Sequence, residues 1–409
     1  MSSSFFIFIV MFSALSAYSL EGIDGLSKNL YQKNQEIMSL EKYVESKEAL
    51  SNSSVSGYYP TLNAVAGWGQ NKTDDLPSVQ KGYLGYIEGR LNLFRGFKDH
   101  SIRGQKDIDF LLSKLDLESK KRELRLQLTE ISSRMILHHK IRNILDEEFK
   151  VTQSQKQMAA KKVGAGLTGT VDNLEFELRE NELQIAQRQI DQQHDEAHQR
   201  FFKMFGEDVS DAQLENLEFS SVETLAKAAG HFKVENALEY RKIELAQNRS
   251  EFEKKEIKAD FLPSLDFTYG FGRLTPSEES NLKFNESRYA IQITIPIFSG
   301  FDTYYRSKSV NLVSQSIEKL KTQKRIDIGT EFNILRTKIA QMNALYQINE
   351  KKQISSQKYF DLTLSEYRRG IKNSPDLVSA TERLFSSKKK KYEILVDLEI
   401  LKVQIENLY

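Results

Sequence analysis

The chain has 409 residues, 28% of them charged and 39% hydrophobic, with 58 basic against 57 acidic side chains, a net charge of +1 and no cysteine. That balance gives no net field to draw nucleic acid or an acidic surface, and the absent thiols exclude disulfides, zinc-thiolate sites, iron–sulfur clusters, cysteine nucleophiles and acylation of a cysteine. A mean hydropathy of −0.51 excludes a polytopic helical transporter, since each spanning helix needs about 20 apolar residues.

Phe5 to Leu15 (FFIFIVMFSAL) is the one strongly apolar stretch. It has the length of a signal-peptide core and falls short of a bilayer span. Ala17-Tyr18-Ser19 places small residues where a signal peptidase reads them, so residues 1–19 are expected to be removed although Met1 to Ser4 carries no Lys or Arg.

Beyond it the chain reads as two consecutive halves, 20–204 and 235–409, joined by an irregular bridge at 205–234. Tyr59-Pro60-Thr61-Leu62 recurs as Leu262-Pro263-Ser264-Leu265, and Leu93-Phe94-Arg95-Gly96-Phe97 as Ile297-Phe298-Ser299-Gly300-Phe301. Gly166 and Asp172 recur as Gly370 and Asp376. An offset that holds to within one residue over three landmarks is the mark of an internal repeat.

Each half opens on a helical pattern, Gly22 to Ser53 or Glu235 to Asp260, and then changes to period two. Leu62, Ala64, Ala66 and Trp68 share one face of the first strand against Asn63, Val65, Gly67 and Gly69. Tyr83, Ile87, Leu91 and Leu93 oppose Glu88, Arg90 and Asn92. Leu265, Phe267, Tyr269 and Phe271 alternate with Asp266, Thr268, Gly270 and Gly272. Tyr289, Ile291, Ile293, Ile295 and Ile297 alternate with Ala290, Gln292, Thr294 and Pro296. Such runs match the roughly 9 to 11 residues that a tilted strand needs to cross a membrane. A half-buried sheet in a soluble domain gives the same alternation.

Phe97 to Val163 and Phe301 to Arg369 contain no proline and carry apolar stripes at three-four spacing, including Leu124, Leu128, Ile131 and Met135 in one and Val310, Val313, Ile317 and Leu320 in the other. At 1.5 Å per residue each would run about 100 Å, a length that calls for side-by-side coiled-coil packing. Asp172 to Met204 and Asp376 to Leu408 are expected to return as shorter helices.

Four strands cannot close a barrel, and an open edge in lipid leaves backbone groups unpaired. Oligomerisation follows. Three chains supply twelve strands, with Asn63, Glu88, Arg90, Asn92, Asp266, Gln292 and Thr294 lining a wet lumen and Phe267, Tyr269, Phe271, Ile291, Ile293 and Ile295 facing lipid. The fold class expected is therefore an α+β membrane protein with an internal two-fold repeat and long helices continuing from its strands, and three copies would make a twelve-stranded barrel.

At the turns, Gly166 and Gly370 end long helices where positive φ is useful, and Asp172 and Asp376 open the next helices, where a carboxylate caps amides and meets the positive dipole end. His194 and His198 stand four apart, but Asp195-Glu196-Ala197 lacks the Glu directly after the first His of a zinc-protease helix, so the pair reads as a solvated polar face and no metal is expected. His138-His139 reads as helix surface, and Lys388 to Lys391 as a solvated charged face. No phosphate loop, catalytic triad or paired catalytic carboxylate stands out, so neither an enzyme nor a cofactor is expected.

Two halves of helix, Pro-led strand, strand ending in Phe-x-Gly, long helix, Gly-x5-Asp turn and helix resemble the TolC-type outer-membrane efflux proteins over about residues 20 to 409. The resemblance implies a homotrimer in the outer membrane of a Gram-negative cell, with a helical barrel extending through the periplasm. It implies a passive exit duct for efflux or type I secretion, partnered by a periplasmic adaptor and an inner-membrane pump. It puts Gly166, Leu167, Asp172, Gly370, Ile371 and Asp376 at the periplasmic tip, and makes Tyr367 a closing contact, with Lys372 where the family has an Arg. Ser379 stands where the best-known member has a second acidic ring. The alternative is a structural periplasmic coiled-coil protein with a soluble β domain.

Overall fold

The computed structural model describes residues 31, 33–71, 80–206, 219, 232–275 and 284–408. The expected signal peptide and most of the bridge at 205–234 lie outside them. Six helices and four strands follow in order: α1 (Gln35–Ser53), β1 (Thr61–Asn71), β2 (Gln80–Phe94), α2 (Lys98–Gly164), α3 (Val171–Phe205), α4 (Leu238–Ala259), β3 (Ser264–Thr275), β4 (Phe284–Thr294), α5 (Asp302–Arg368) and α6 (Ser374–Glu406). Each of α2 and α5 has 67 residues. No helix among the described residues is long and apolar enough to cross a membrane.

The chain divides into two compact units, each drawing on both halves of the sequence. One comprises Gln35–Glu123, Lys227–Ala340 and Leu401–Tyr409, and the other Met1–Asn34, Leu124–Ala226 and Gln341–Ile400.

The first unit holds one antiparallel sheet in the order β1-β2-β3-β4. Its register aligns the two sets of side chains that alternation separates. Leu91, Phe267 and Ile291 form one row across β2, β3 and β4, while Asn92, Asp266 and Gln292 form the next. Thr61, Arg90, Thr268 and Ala290 make another row on the polar side, and Asn63 pairs with Glu88. A one-residue slip would mix the faces, so the pattern itself fixes the register.

Two details depart from the expected strands. The register shifts between Asn92 and Phe94, and Phe94, not Leu93, stands opposite Leu265. A bulge absorbs one residue and hands the apolar row to its neighbour. The ladder of β4 ends at Thr294, so Ile295 and Ile297 lie beyond it. Pro296 has no N–H to donate, which suits the end of a ladder.

Gly96 and Gly300 adopt positive φ, and so do Phe97 at 65° and Phe301 at 66°. A bulky side chain in that region is a true outlier. In each half the following helix starts one residue later, and the phenylalanine meets another edge-on, Phe94 with Phe97 at 5.5 Å and Phe298 with Phe301 at 5.3 Å between ring centroids.

Helices in this unit are held by apolar contact and cross-helix ion pairs. Ala237, Tyr240 and Ile328 are buried with Phe232 and Val234 against them, and Phe232 stacks on Phe332 at 4.4 Å. Lys98 and Arg306 both reach Asp260, at 2.6 and 2.9 Å, and Arg249 reaches Asp109 at 2.7 Å.

The second unit packs α2, α3, α5 and α6 around two apolar clusters: Ala159, Phe176, Tyr367 and Leu377, then Ile144, Leu384 and Phe385. Between these helices lies Glu148, wholly buried, with Arg179 and Lys389 on its two oxygens. Arg179 also pairs with Glu182 and Glu382, each at 2.8 Å. Burial would lower the Arg179 pKa, but these three carboxylates offset it and the net shift is upward. A buried carboxylate with fewer partners would be strongly unfavourable.

Candidate functional site at the helical turns

The turn after α2 closes with Leu167 N–H on the Lys162 carbonyl at 2.9 Å and Gly166 N–H on Val163 at 3.0 Å. The turn after α5 repeats it, with Ile371 N–H on Glu366 at 3.0 Å and Gly370 N–H on Tyr367 at 3.1 Å. Both are Schellman closures, and they need the left-handed φ of 69° at Gly166 and 79° at Gly370. Leu167 and Ile371 are thereby presented to solvent, 73% and 64% exposed. An apolar residue held outward at both turns is available to a partner surface.

Asn373 opens α6, its Oδ1 accepting the Asp376 N–H at 3.2 Å. That is the N-cap bond, made by Asn373 and not by Asp376 itself. Asp376 pairs instead with Lys372 at 3.6 Å, both half-buried. Asp172 accepts a hydrogen bond from the Ser374 hydroxyl. Within one chain, then, neither Tyr367 nor Lys372 is given Asp172 as its hydrogen-bonding partner.

Tyr367 is fully buried, edge-on to Phe176 at 6.0 Å. The Lys162 ammonium lies 3.9 Å from its ring centroid and donates to its backbone carbonyl. Among the described residues its hydroxyl has no hydrogen-bond partner. Burial, with the Asp172 charge adding to it, pushes the phenol above its ordinary 10.0. A buried orphan hydroxyl calls for an explanation.

Glu88, Arg90, Asn92, Asp266, Gln292 and Thr294 share the polar side of the sheet, where Arg90 approaches Glu88 at 4.0 Å and Gln292 donates to Thr294 at 3.4 Å. Phe267, Tyr269, Phe271, Ile291 and Ile293 share the other side. Tyr289, Ile291 and Ile293 are 77%, 67% and 65% exposed, so no second layer among the described residues covers them. The outer edges of β1 and β4 have no strand partner among the described residues.

Sequence reasoning missed Ser374, Lys162, Phe176 and the Glu148 set, all of which act between helices. It also misjudged the histidines, because His194 and His139 are buried, at 7% and 8% exposure. The lysine run is engaged too: Lys388 with Glu147, Lys389 with Glu148, Lys390 with Glu393 and Lys391 with Glu350. Among the described residues no group of three or more His, Asp or Glu side chains is arranged to hold a metal.

No protein-family model matches the chain, and no curated protein matches its sequence. Solved structures do match. The outer-membrane channel OprN superposes with a TM-score of 0.81 at 13% identity over 94% of this chain and 89% of that one. The outer membrane protein VceC from Vibrio cholerae gives 0.79 at 10% identity over 94% of both chains. The open state of the outer-membrane channel MtrE from Neisseria gonorrhoeae gives 0.77 at 13% identity over 94% and 88%. At this identity the likeness is one of fold, and the chain has the fold of these outer-membrane channels.

Proposed function

We propose that the chain is the outer-membrane exit duct of an efflux or type I secretion system, assembled from three copies into a twelve-stranded barrel. The observation that carries this is the sheet: four strands with an exposed apolar face, a polar opposite face and two edges unpaired among the described residues. A soluble sheet would bury that apolar face against a second layer. Lipid accepts it, and neighbouring copies satisfy the edges.

In this reading the two sequence halves, 20–204 and 235–409, are an internal repeat joined at 205–234, and the polar face lines the water path. Localisation is the outer membrane with a periplasmic extension. Gly166, Leu167, Gly370 and Ile371 meet a periplasmic adaptor, an inner-membrane pump drives transport, and the duct conducts passively without catalysis. Tyr367 and Lys372 contact a neighbouring hairpin, and three copies of Asp376 ring the mouth. The fold shared with solved outer-membrane channels supports the duct and its location.

The test is extraction and reconstitution. The protein should leave an outer-membrane fraction only with detergent and give discrete conductance steps in a planar lipid bilayer. Release by salt alone, with no conductance, would favour the soluble coiled-coil alternative.

A further inference from the structure

The duct reading leaves one cluster unused, the imidazoles of α2 and α3. His194 and His198 stand one helical turn apart, and their Nε2 atoms face each other at 3.1 Å. Their rings lie 4.4 Å apart at 70°. Two Nε2 atoms at this separation, each about 2.0–2.1 Å from a shared ion, subtend about 95–100° at it. That angle lies between the square-planar and tetrahedral values, within reach of Cu2+, Ni2+ and Zn2+.

His138 of α2 stands beside them. One of its ring nitrogens bonds the Gln193 backbone carbonyl, while its Nδ1 is buried with no hydrogen-bond partner. An imidazole held at one nitrogen by a carbonyl, with its other nitrogen presenting a lone pair, is the arrangement found in metal-ligating histidines. The pair is also well placed for access, since His194 is buried while His198 is only half-buried.

We propose that His194 and His198 chelate a divalent transition-metal ion through their Nε2 atoms, with Cu2+ bound more tightly than Ni2+ or Zn2+. Copper leads because affinity of a nitrogen site rises along the first-row series to Cu2+. Water completes the coordination, because two ligands leave positions open. The role is non-catalytic: no Glu follows His194 to act as a base, as a zinc-protease helix requires.

The experiment is titration of the detergent-solubilised protein with Cu2+, read by calorimetry and by electron paramagnetic resonance, then repeated with Zn2+. One Cu2+ per chain is expected, with nitrogen hyperfine coupling from two imidazoles, and Zn2+ should compete. His198→Asn, at the half-exposed member, should weaken binding at least tenfold without disturbing the circular dichroism spectrum. His194→Asn should weaken it similarly, and His100→Asn, in the other unit, should leave it unchanged. Equal affinity in wild type and in the His194→Asn/His198→Asn double variant would overturn the proposal. Absence of conductance would not bear on it, because binding is read without transport.

Discussion

Ser374 donates its hydroxyl to the Asp172 carboxylate, tying the start of α6 to the start of α3 across 202 positions of sequence. Ser374 is fully buried and Asp172 half-buried. A hydrogen bond to a carboxylate in this setting contributes about 1–2 kcal/mol. Ser374→Ala should therefore loosen both helix starts together. Hydrogen exchange should quicken across residues 168–174 and 372–378 alike, and unchanged exchange in either would contradict the tie.

Tyr367 keeps its hydroxyl buried within the single chain, with no hydrogen-bond partner among the described residues, so another copy reaches it only if the turn shifts on assembly. If a neighbouring copy supplies its partner, removing the hydroxyl weakens a contact between copies and leaves the apolar cluster intact. Tyr367→Phe combined with Lys372→Ser should raise single-channel conductance while the oligomer still assembles. Unchanged conductance would reject the latch.

Alkaline pH offers a separate check on the same phenol. Its pKa in the folded chain lies above the ordinary 10.0, so folding favours the protonated form. The stability it contributes is present below pH 10 and is lost as pH rises through the folded value. Unfolding of the wild type should thus become easier on the alkaline side, and Tyr367→Phe should remove part of that loss. An identical alkaline profile in both proteins would contradict the burial assigned to Tyr367.

The two faces of β4 should respond oppositely to charge. Ile291 lies well inside the ladder and Ile293 one residue from its end. Arg at Ile291 should cost about 2–4 kcal/mol and Arg at Ile293 less, because the penalty falls toward the interface. Gln292→Arg, on the polar side, should be nearly silent. Equal damage at 291 and 292 in assembly assays would mean the faces are wrongly assigned.

The strands, their facing and the two glycine turns were legible in the sequence, because each rests on a local pattern of period two or a residue needed for positive φ. What was hidden rests on pairings between distant segments. The bulge at Leu93 is invisible in Leu91-Asn92-Leu93-Phe94, since Leu93 continues the alternation and only the β3 partner reveals that Phe94 takes its place. Ile295 and Ile297 extend the pattern past Pro296, although backbone pairing stops at Thr294. Asp172 reads in the sequence as a helix cap, yet its carboxylate accepts from Ser374, a residue with no distinguishing motif. His194 looked solvated because one helix considered alone does not reveal α2 beside it.

Because the chain has no cysteine, closure of the barrel can be tested by engineered disulfides between β1 and β4. These strands are opposite edges of the four-stranded sheet, so a cross-link joins separate copies. Cysteines scanned at Ala64 or Ala66 against Tyr289 or Ile291 should, at the matching pair, give a covalent trimer in native outer-membrane vesicles on a non-reducing gel, and a single-chain band after reduction. Single-chain bands for every pair, under conditions that oxidise a control disulfide, would contradict the three-copy barrel.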